Sequence, residues 1–476
     1  MLFNSVSFAI FLIVLFALYW VMPSKYRWGV LLISSYYFYS CWNIKYVFIL
    51  LFTTAVSYFA GRLIYKADED KKKKLIIVLS VCIEVLVLGF FKYFNFLSQT
   101  VADIFGALSI PVHQATLKLM VPVGLSFYTF QTIGYIADVY NRKIEPEKNF
   151  GVYALFVSFF PHIMSGPIAR ADKLISQLKA DRVFDNKLAE DGLKLMAWGF
   201  FKKLCIADVL TTYVDLVYLD VKSYAGFDLL LVIFFYTIQI YCDFSGYTDI
   251  AIGVGKLFGI ELMTNFKAPY LSTSIKEFWS RWHISLTSWL RDYVYIPLGG
   301  NRCSTAKNYR NLMATFLISG LWHGANWTFV LWGALHGLLQ IAEKIFAAPI
   351  KRFKSYKLGR AISWFVVFVL CSMAWVFFRA DSVSDAVYVI AHSLQGVTSP
   401  GQYLVNNIGL GGSKYVTIAF SLAVLTAFDL IDDKKGVFES LSKKPTLIRH
   451  AVYILLLVMI MFLKASGEAA FVYFKF

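Results

Sequence analysis

The sequence predicts an all-α, polytopic membrane protein: one integral membrane domain over 1–476, built from spanning, re-entrant and interfacial helices. Three observations carry this. Of 476 residues, 58% are hydrophobic and only 16% charged, and mean hydropathy is +0.60, values that place much of the chain in lipid. Apolar runs approaching the roughly 20 residues a spanning helix needs recur near 5–22, 29–43, 46–64, 75–95, 115–137, 149–166, 192–218, 228–257, 361–378, 414–431 and 450–464, with an apolar pair over 312–340. Basic residues gather in the short segments between these runs.

That placement also settles the meaning of the +16 net charge. Such a charge invites a nucleic-acid reading, but positive residues confined to loops between apolar runs follow the positive-inside pattern, so the expected partner is the lipid bilayer and not nucleic acid. Lys25, Arg27, Lys66 and Lys71–Lys74 mark the first two cytoplasmic loops, and 298–311, 344–360 and 434–449 mark later ones. Both termini are then expected outside the cytoplasm, with an even number of crossings between them. The first 23 residues lack a basic n-region and an A-x-A site, so they read as a retained helix. The stretch 168–203 reads as a partly helical cytoplasmic surface segment. Six scattered cysteines, without a CxxC pair, read as small buried hydrophobes.

Polar residues inside apolar runs are costly and point to function. In GLWHGANWTFVLWGALHGL, 320–338, both flanks look cytoplasmic, so 312–340 is expected to enter the membrane and return. An arm over 312–322 rises about 16 Å, roughly half the hydrocarbon core. It would bring His323, Gly324 and Asn326 to mid-depth, where an imidazole is a natural proton acceptor. The alternative is a structural histidine bonded to a carbonyl. His336 would point about 140° away on a continuous helix and reads as structural unless the turn reorients it. In SIKEFWSRWHISLTSWLRDYVYIPLGG, 274–300, helical spacing puts Trp279, Trp282, Leu286, Trp289 and Tyr293 on one stripe and the charges opposite, as in an interfacial helix. His283 falls on the border of that stripe, and Arg281 and Arg291 are candidates for donor phosphates or for lipid headgroups. In YCDFSGYTDIAIG, 241–253, Asp243 and Asp249 are candidates to orient a histidine or hold a basic group, or else to fix helix packing beside Ser245–Gly246. The Pro/Gly breaks in 121–140 and 161–170 read as re-entrant or pore-lining pieces.

These stretches resemble the membrane-bound O-acyltransferase family, in its alginate and peptidoglycan O-acetylation branch. The resemblance rests on VGLSFYTFQTIGY at 123–135, SFFPHIMSGPIAR at 158–170, YCDFSGYTDIAIG at 241–253, the 265–302 segment, SGLWHGANWTFVLWGALHG at 319–337 and WVFFRA at 375–380. It places a motif-bearing core at about 121–380 and implies a helical bundle around a central tunnel. The family's invariant histidine corresponds to His323 and the branch's second histidine to His283. The implied reaction moves an acyl group, expected to be acetyl, from acetyl-CoA to polysaccharide hydroxyls, with His323 as general base and His283 on the donor side. Trp322 and Asn326 are their candidate neighbours, no permanently bound cofactor or metal is expected, and a bacterial inner membrane is the expected location. The branch implies an extracytoplasmic acetyltransferase partner. The tail FVYFKF, 471–476, resembles one in which a tyrosine is proposed to relay the acyl group, making Tyr473 a third candidate beside an interfacial-anchor role. A transporter and a non-catalytic scaffold of a polysaccharide synthesis complex are the competing classes. The first expects paired repeats, which the sequence lacks.

Overall fold

The computed structural model describes residues 1–110, 114–118, 120–396, 412–465 and 471. Regular structure among them is helical throughout. They form two compact units, residues 1–193 with 251–263 and residues 194–250 with 264–476.

The first unit opens with α1 (Val6–Val21), α2 (Ser24–Ser40), α3 (Ile44–Lys66) and α4 (Asp70–Leu88). Ser5 and Asn43 start α1 and α3 by accepting the N–H groups of Phe8 (3.2 Å) and Lys45 (3.0 Å), which have no partner inside the helix. A π-turn over Gly89–Tyr93 carries α4 on into α5 (Phe94–Ala107). The apolar run near 115–137 yields α6 only from Leu125 to Tyr140, and the run near 149–166 is not one rod. It breaks after α7 (Phe150–Ser158) into the single turn α8 (Phe160–Ile163), whose Pro161 sits in the first turn, where a missing N–H costs nothing. The surface segment beyond carries α9 (Ala171–Lys179), with Leu174 and Leu178 buried and Lys179 paired to Glu147 at 3.1 Å.

In the second unit the end of α10 (Asn186–Phe200) passes through a π-turn, Phe201–Ala207, into α11 (Asp208–Leu219), so the run near 192–218 is also interrupted. Beside them runs α12 (Phe227–Leu257). The π-turn carries two adjacent buried lysines. Lys203 meets Asp243 at 2.6 Å and Asp208 at 2.8 Å, and Lys202 meets Asp249 at 2.6 Å. Gly199 and Gly246 let the backbones close on these pairs: a Cβ on either would lie 2.7 or 2.8 Å from the other's carbonyl oxygen.

The unit continues with α13 (Ile275–Arg281) and α14 (Ile284–Leu290), then the hairpin of α15 (Thr305–His323) and α16 (Trp327–Ile345). It ends with α17 (Ala347–Phe353), α18 (Lys357–Arg379), α19 (Val383–His392), α20 (Gly412–Lys435), α21 (Val437–Ser442) and α22 (Thr446–Leu463). Among the described residues six helical stretches are long and apolar enough to cross a membrane: α3, α4–α5, α12, α18, α20 and α22. A seventh arises if α16 and α17, bent by 76°, count as one. The chain is a multi-pass membrane protein. In α12 72% of the apolar window is buried by protein and in α22 none is, so α12 is a core helix and α22 faces lipid.

Two expectations change. The segment 274–300 is not one interfacial helix: it breaks at Trp282–His283, and the π-turn Arg291–Tyr295 follows α14. The first arm of the hairpin begins at Thr305, seven residues before the apolar run, so the polar stretch 305–311 is helical as well.

Replacing Lys203 by Met strands two buried carboxylates. The expected loss is about 3–5 kcal/mol, seen as a lower Tm of the detergent-purified protein and partly restored by adding Asp243→Asn. An unchanged Tm for Lys203→Met would show that the pairs do not hold α12 in place.

Candidate active site

His323 is the last residue of α15, and the hairpin positions it by close backbone approach. A Cβ on Gly320 would lie 2.3 Å from the Phe329 carbonyl oxygen, and one on Gly333 would lie 2.4 Å from that of Phe316. Only residues without a side chain let the two arms meet this closely. Asn326 then starts α16: its Oδ1 accepts the Thr328 N–H at 3.0 Å and its Nδ2 donates to the Asp381 carbonyl at 3.0 Å. Asn326 therefore shapes the turn after His323 and spends its amide on backbone, a different task from the substrate contact expected of it.

Around the buried His323 imidazole stand the rings of Trp322, Trp332 and Phe378, with centroids 4.9, 5.0 and 5.1 Å away. The turn does reorient His336. Its ring meets the other end of Trp332 at 4.9 Å, and its Nδ1 accepts from Trp279 Nε1 at 3.2 Å. Trp332 thus ties the two arms, and its spacing of one helical turn before His336 was the available sequence signal.

His283 lies in the break between α13 and α14 with φ +42°, in the left-handed region, which costs a non-glycine residue on the order of 1–3 kcal/mol. It is fully buried, not at a helix border. Its ring sits 4.7 Å from Phe244, 5.9 Å from Trp322 and 6.4 Å from His323, centroid to centroid. The structure thus brings together His283, Trp322 and His323 from two separate helical breaks. Burial pushes the His283 pKa down to about 3, so the ring is neutral. Asn265, which the sequence analysis did not single out, holds the break: its Oδ1 accepts from Ser285 N (3.0 Å) and Ser285 Oγ (2.9 Å) and lies 3.2 Å from His283 Nδ1. No local pattern marks a contact between residues 18 positions apart with a helix between them.

The charged candidates separate. Arg281 is clasped by Glu277 at 3.0 Å and by Asp433 at the end of α20, and it donates to the Lys267 carbonyl at 3.3 Å. Its guanidinium is neutralised within the chain, which removes it as a phosphate holder and makes it a brace beside His283. Arg291 pairs with its neighbour Asp292 at 2.8 Å, remains exposed, and lines a cleft of about 780 Å³. That cleft is also lined by Lys276, Lys344, Trp279, Phe316 and Ser319, the last one helical turn before His323. Asp243 is held by Lys203, so the basic group it binds belongs to this chain and not to a substrate.

Tyr473 lies outside the described residues. Phe471, two positions earlier, is buried against Tyr247 at 4.6 Å and Phe244 at 6.0 Å, and Phe244 in turn meets His283.

The family model described as MBOAT, membrane-bound O-acyltransferase family, matches residues 148–380, a span that contains both histidines. A probable alginate O-acetylase AlgI of Pseudomonas putida is 34% identical over 99% of each chain. That of Pseudomonas aeruginosa is 38% identical over 90% of this chain and 81% of its own. A peptidoglycan O-acetyltransferase of Helicobacter pylori is 32% identical over 94% of this chain and 91% of its own.

Proposed function

The chain belongs to the membrane-bound O-acyltransferase family, and from that premise we propose that it moves acetyl groups from cytoplasmic acetyl-CoA to hydroxyls of an envelope or secreted polysaccharide. The observation that carries this reading is the convergence of two imidazoles, His283 and His323, at a ring separation of 6.4 Å inside an aromatic shell. The relatives' names, alginate and peptidoglycan acetylation, supply the acceptor class. In this reading the membrane is a bacterial inner membrane, and the basic loops support an orientation with both termini outside.

In the proposed reaction the acceptor oxygen attacks the thioester carbonyl carbon. His323 takes the hydroxyl proton as the C–O bond forms. The C–S bond breaks, and the proton passes to the leaving sulfur, giving an ester and free thiol. Burial by Trp322, Trp332 and Phe378 keeps water from competing for the acyl group.

The donor enters through the cleft under α13–α14. Lys276, Arg291 and Lys344 at its walls suit the phosphates of the nucleotide, and the basic segments 298–311 and 344–360 put this face in the cytoplasm. The acyl end leaves toward the outer face, where an extracytoplasmic acetyltransferase partner completes delivery to the glycan. In this reading Tyr473 takes the acyl group as an aryl ester before handing it on.

Three outcomes test the reading. His323→Ala at parental membrane levels lowers ester-linked acetate on the polysaccharide by on the order of 10²-fold or more. Full acetylation would support a scaffold or a transporter instead. Lys276→Ala with Arg291→Ala raises the half-saturating acetyl-CoA concentration by about tenfold while leaving the saturated rate within twofold. A fall in rate alone would place the donor elsewhere. Tyr473→Phe abolishes transfer to the final acceptor, and retained transfer would remove the relay.

A further inference from the structure

We propose that Asn265 is a positioning residue that locks His283 as its Nδ1–H tautomer, making Nε2 the ring's proton-accepting atom. This rests on the reading above that His283 belongs to the acyl-transfer site.

The backbone N–H of Ser285 can only donate, and it lies 3.0 Å from the Asn265 side-chain atom that faces the break. That atom is therefore the carboxamide oxygen and not the nitrogen. The same oxygen lies 2.9 Å from Ser285 Oγ and 3.2 Å from His283 Nδ1. An acceptor facing Nδ1 at this distance is favourable only when Nδ1 carries hydrogen, because two lone pairs would repel. A neutral imidazole with hydrogen on Nδ1 has its lone pair on Nε2.

The backbone supports the same assignment. The Ile284 N–H donates to the Asn265 carbonyl at 3.0 Å, so main chain and side chain of this one residue satisfy the amides of Ile284 and Ser285. Those are the first N–H groups of α14, and the left-handed His283 is the residue just before them. Asn265 thereby fixes both the ring's tautomer and the strained backbone that carries the ring. It is 1% exposed, so water does not exchange for it.

The consequence is directional. A ring with its lone pair at Nε2 cannot donate a hydrogen bond to a thioester carbonyl from that atom. It can accept a proton there. During transfer His323 takes the acceptor hydroxyl's proton, His283 Nε2 accepts a hydrogen bond from the His323 imidazolium so formed, and that bond relaxes when the proton moves from His323 to the thiolate. His283 thus acts on the proton rather than as a carbonyl-polarising donor. Among the described residues the ring also faces Phe244, Phe266, Trp322 and His323, of which His323 titrates, and Ser285 Oγ lies 3.5 Å from Nδ1 while its own hydroxyl is directed to Asn265 Oδ1 at 2.9 Å. Asp243, the chain neighbour of Phe244, is paired with Lys203.

The test uses the full chain in native membrane vesicles supplied with acetyl-CoA, following the initial rate of polysaccharide acetylation from pH 5 to 9. Asn265→Asp keeps an acceptor for Nδ1–H but adds a negative charge, which favours the imidazolium. The rate is then expected to remain within about tenfold of the parent at high pH, with its acid limb moved upward by roughly 1–3 pH units. Asn265→Ala removes the acceptor and is expected to lower the rate by on the order of 10²-fold with an unchanged half-saturating donor concentration. If Asn265→Ala does not accumulate, the acid limb of Asn265→Asp decides alone. An acid limb identical to the parent's overturns the assignment. A parental rate in His283→Ala would instead overturn the reading on which the assignment stands.

Discussion

Everything in the catalytic half of this protein depends on two interruptions of helical backbone, at Trp282–His283 and at Gly324–Asn326. In an apolar setting each interruption leaves amide and carbonyl groups that lipid cannot satisfy. The chain satisfies them with two asparagines. Asn265 takes the amides after His283, and Asn326 takes the Thr328 amide after the His323 turn. The two histidines are placed at these ends, where a side chain can project beyond its helix, and the asparagines make such ends affordable. Site and fold are for this reason the same problem: removing either amide loosens a helix terminus and the imidazole beside it together.

The second requirement is that α12 not slide. Phe244 bears on the His283 ring, and the residues before and after it in sequence are committed elsewhere. Asp243 is bound to Lys203, Asp249 to Lys202, and the Tyr241 hydroxyl donates to Asp429 on α20 at 3.0 Å. A buried ion pair adds little net stability over a well-packed apolar pair, but losing one partner is costly. Its directional geometry also penalises a shifted register. Lys202 and Lys203, adjacent in the π-turn, both reach carboxylates of α12.

The general architecture was legible because lipid imposes simple rules. Long apolar runs, basic loops and the cost of polar groups at depth led to the membrane fold and singled out the WHGAN and RWH segments. What stayed hidden was set by tertiary partners. Periodicity over 274–300 fits a helix throughout, and the break at His283 follows from a carboxamide eighteen residues upstream. The charge of Arg281 is plain in the sequence and Glu277, one helical turn before it, is a legible partner, but Asp433 is 152 residues away and is not. Asp243 carries a charge that the sequence marks as costly at depth, but its partner Lys203, forty residues upstream, emerges only from the packing of α12 against the π-turn.

The aromatic shell links these features to chemistry. Trp322 touches both imidazoles, and Trp332 touches His323 on one side and His336 on the other. Rings pack densely, present apolar faces and leave water little access. For a transferase this matters more than for a hydrolase, because the competing nucleophile for a thioester is water at very high concentration. A base in a wet cavity would activate water and acceptor hydroxyl alike. A base walled by indoles acts on the hydroxyl bound beside it, so in the proposed mechanism selectivity for transfer over hydrolysis resides in the walls. The imidazoles supply the proton chemistry within them.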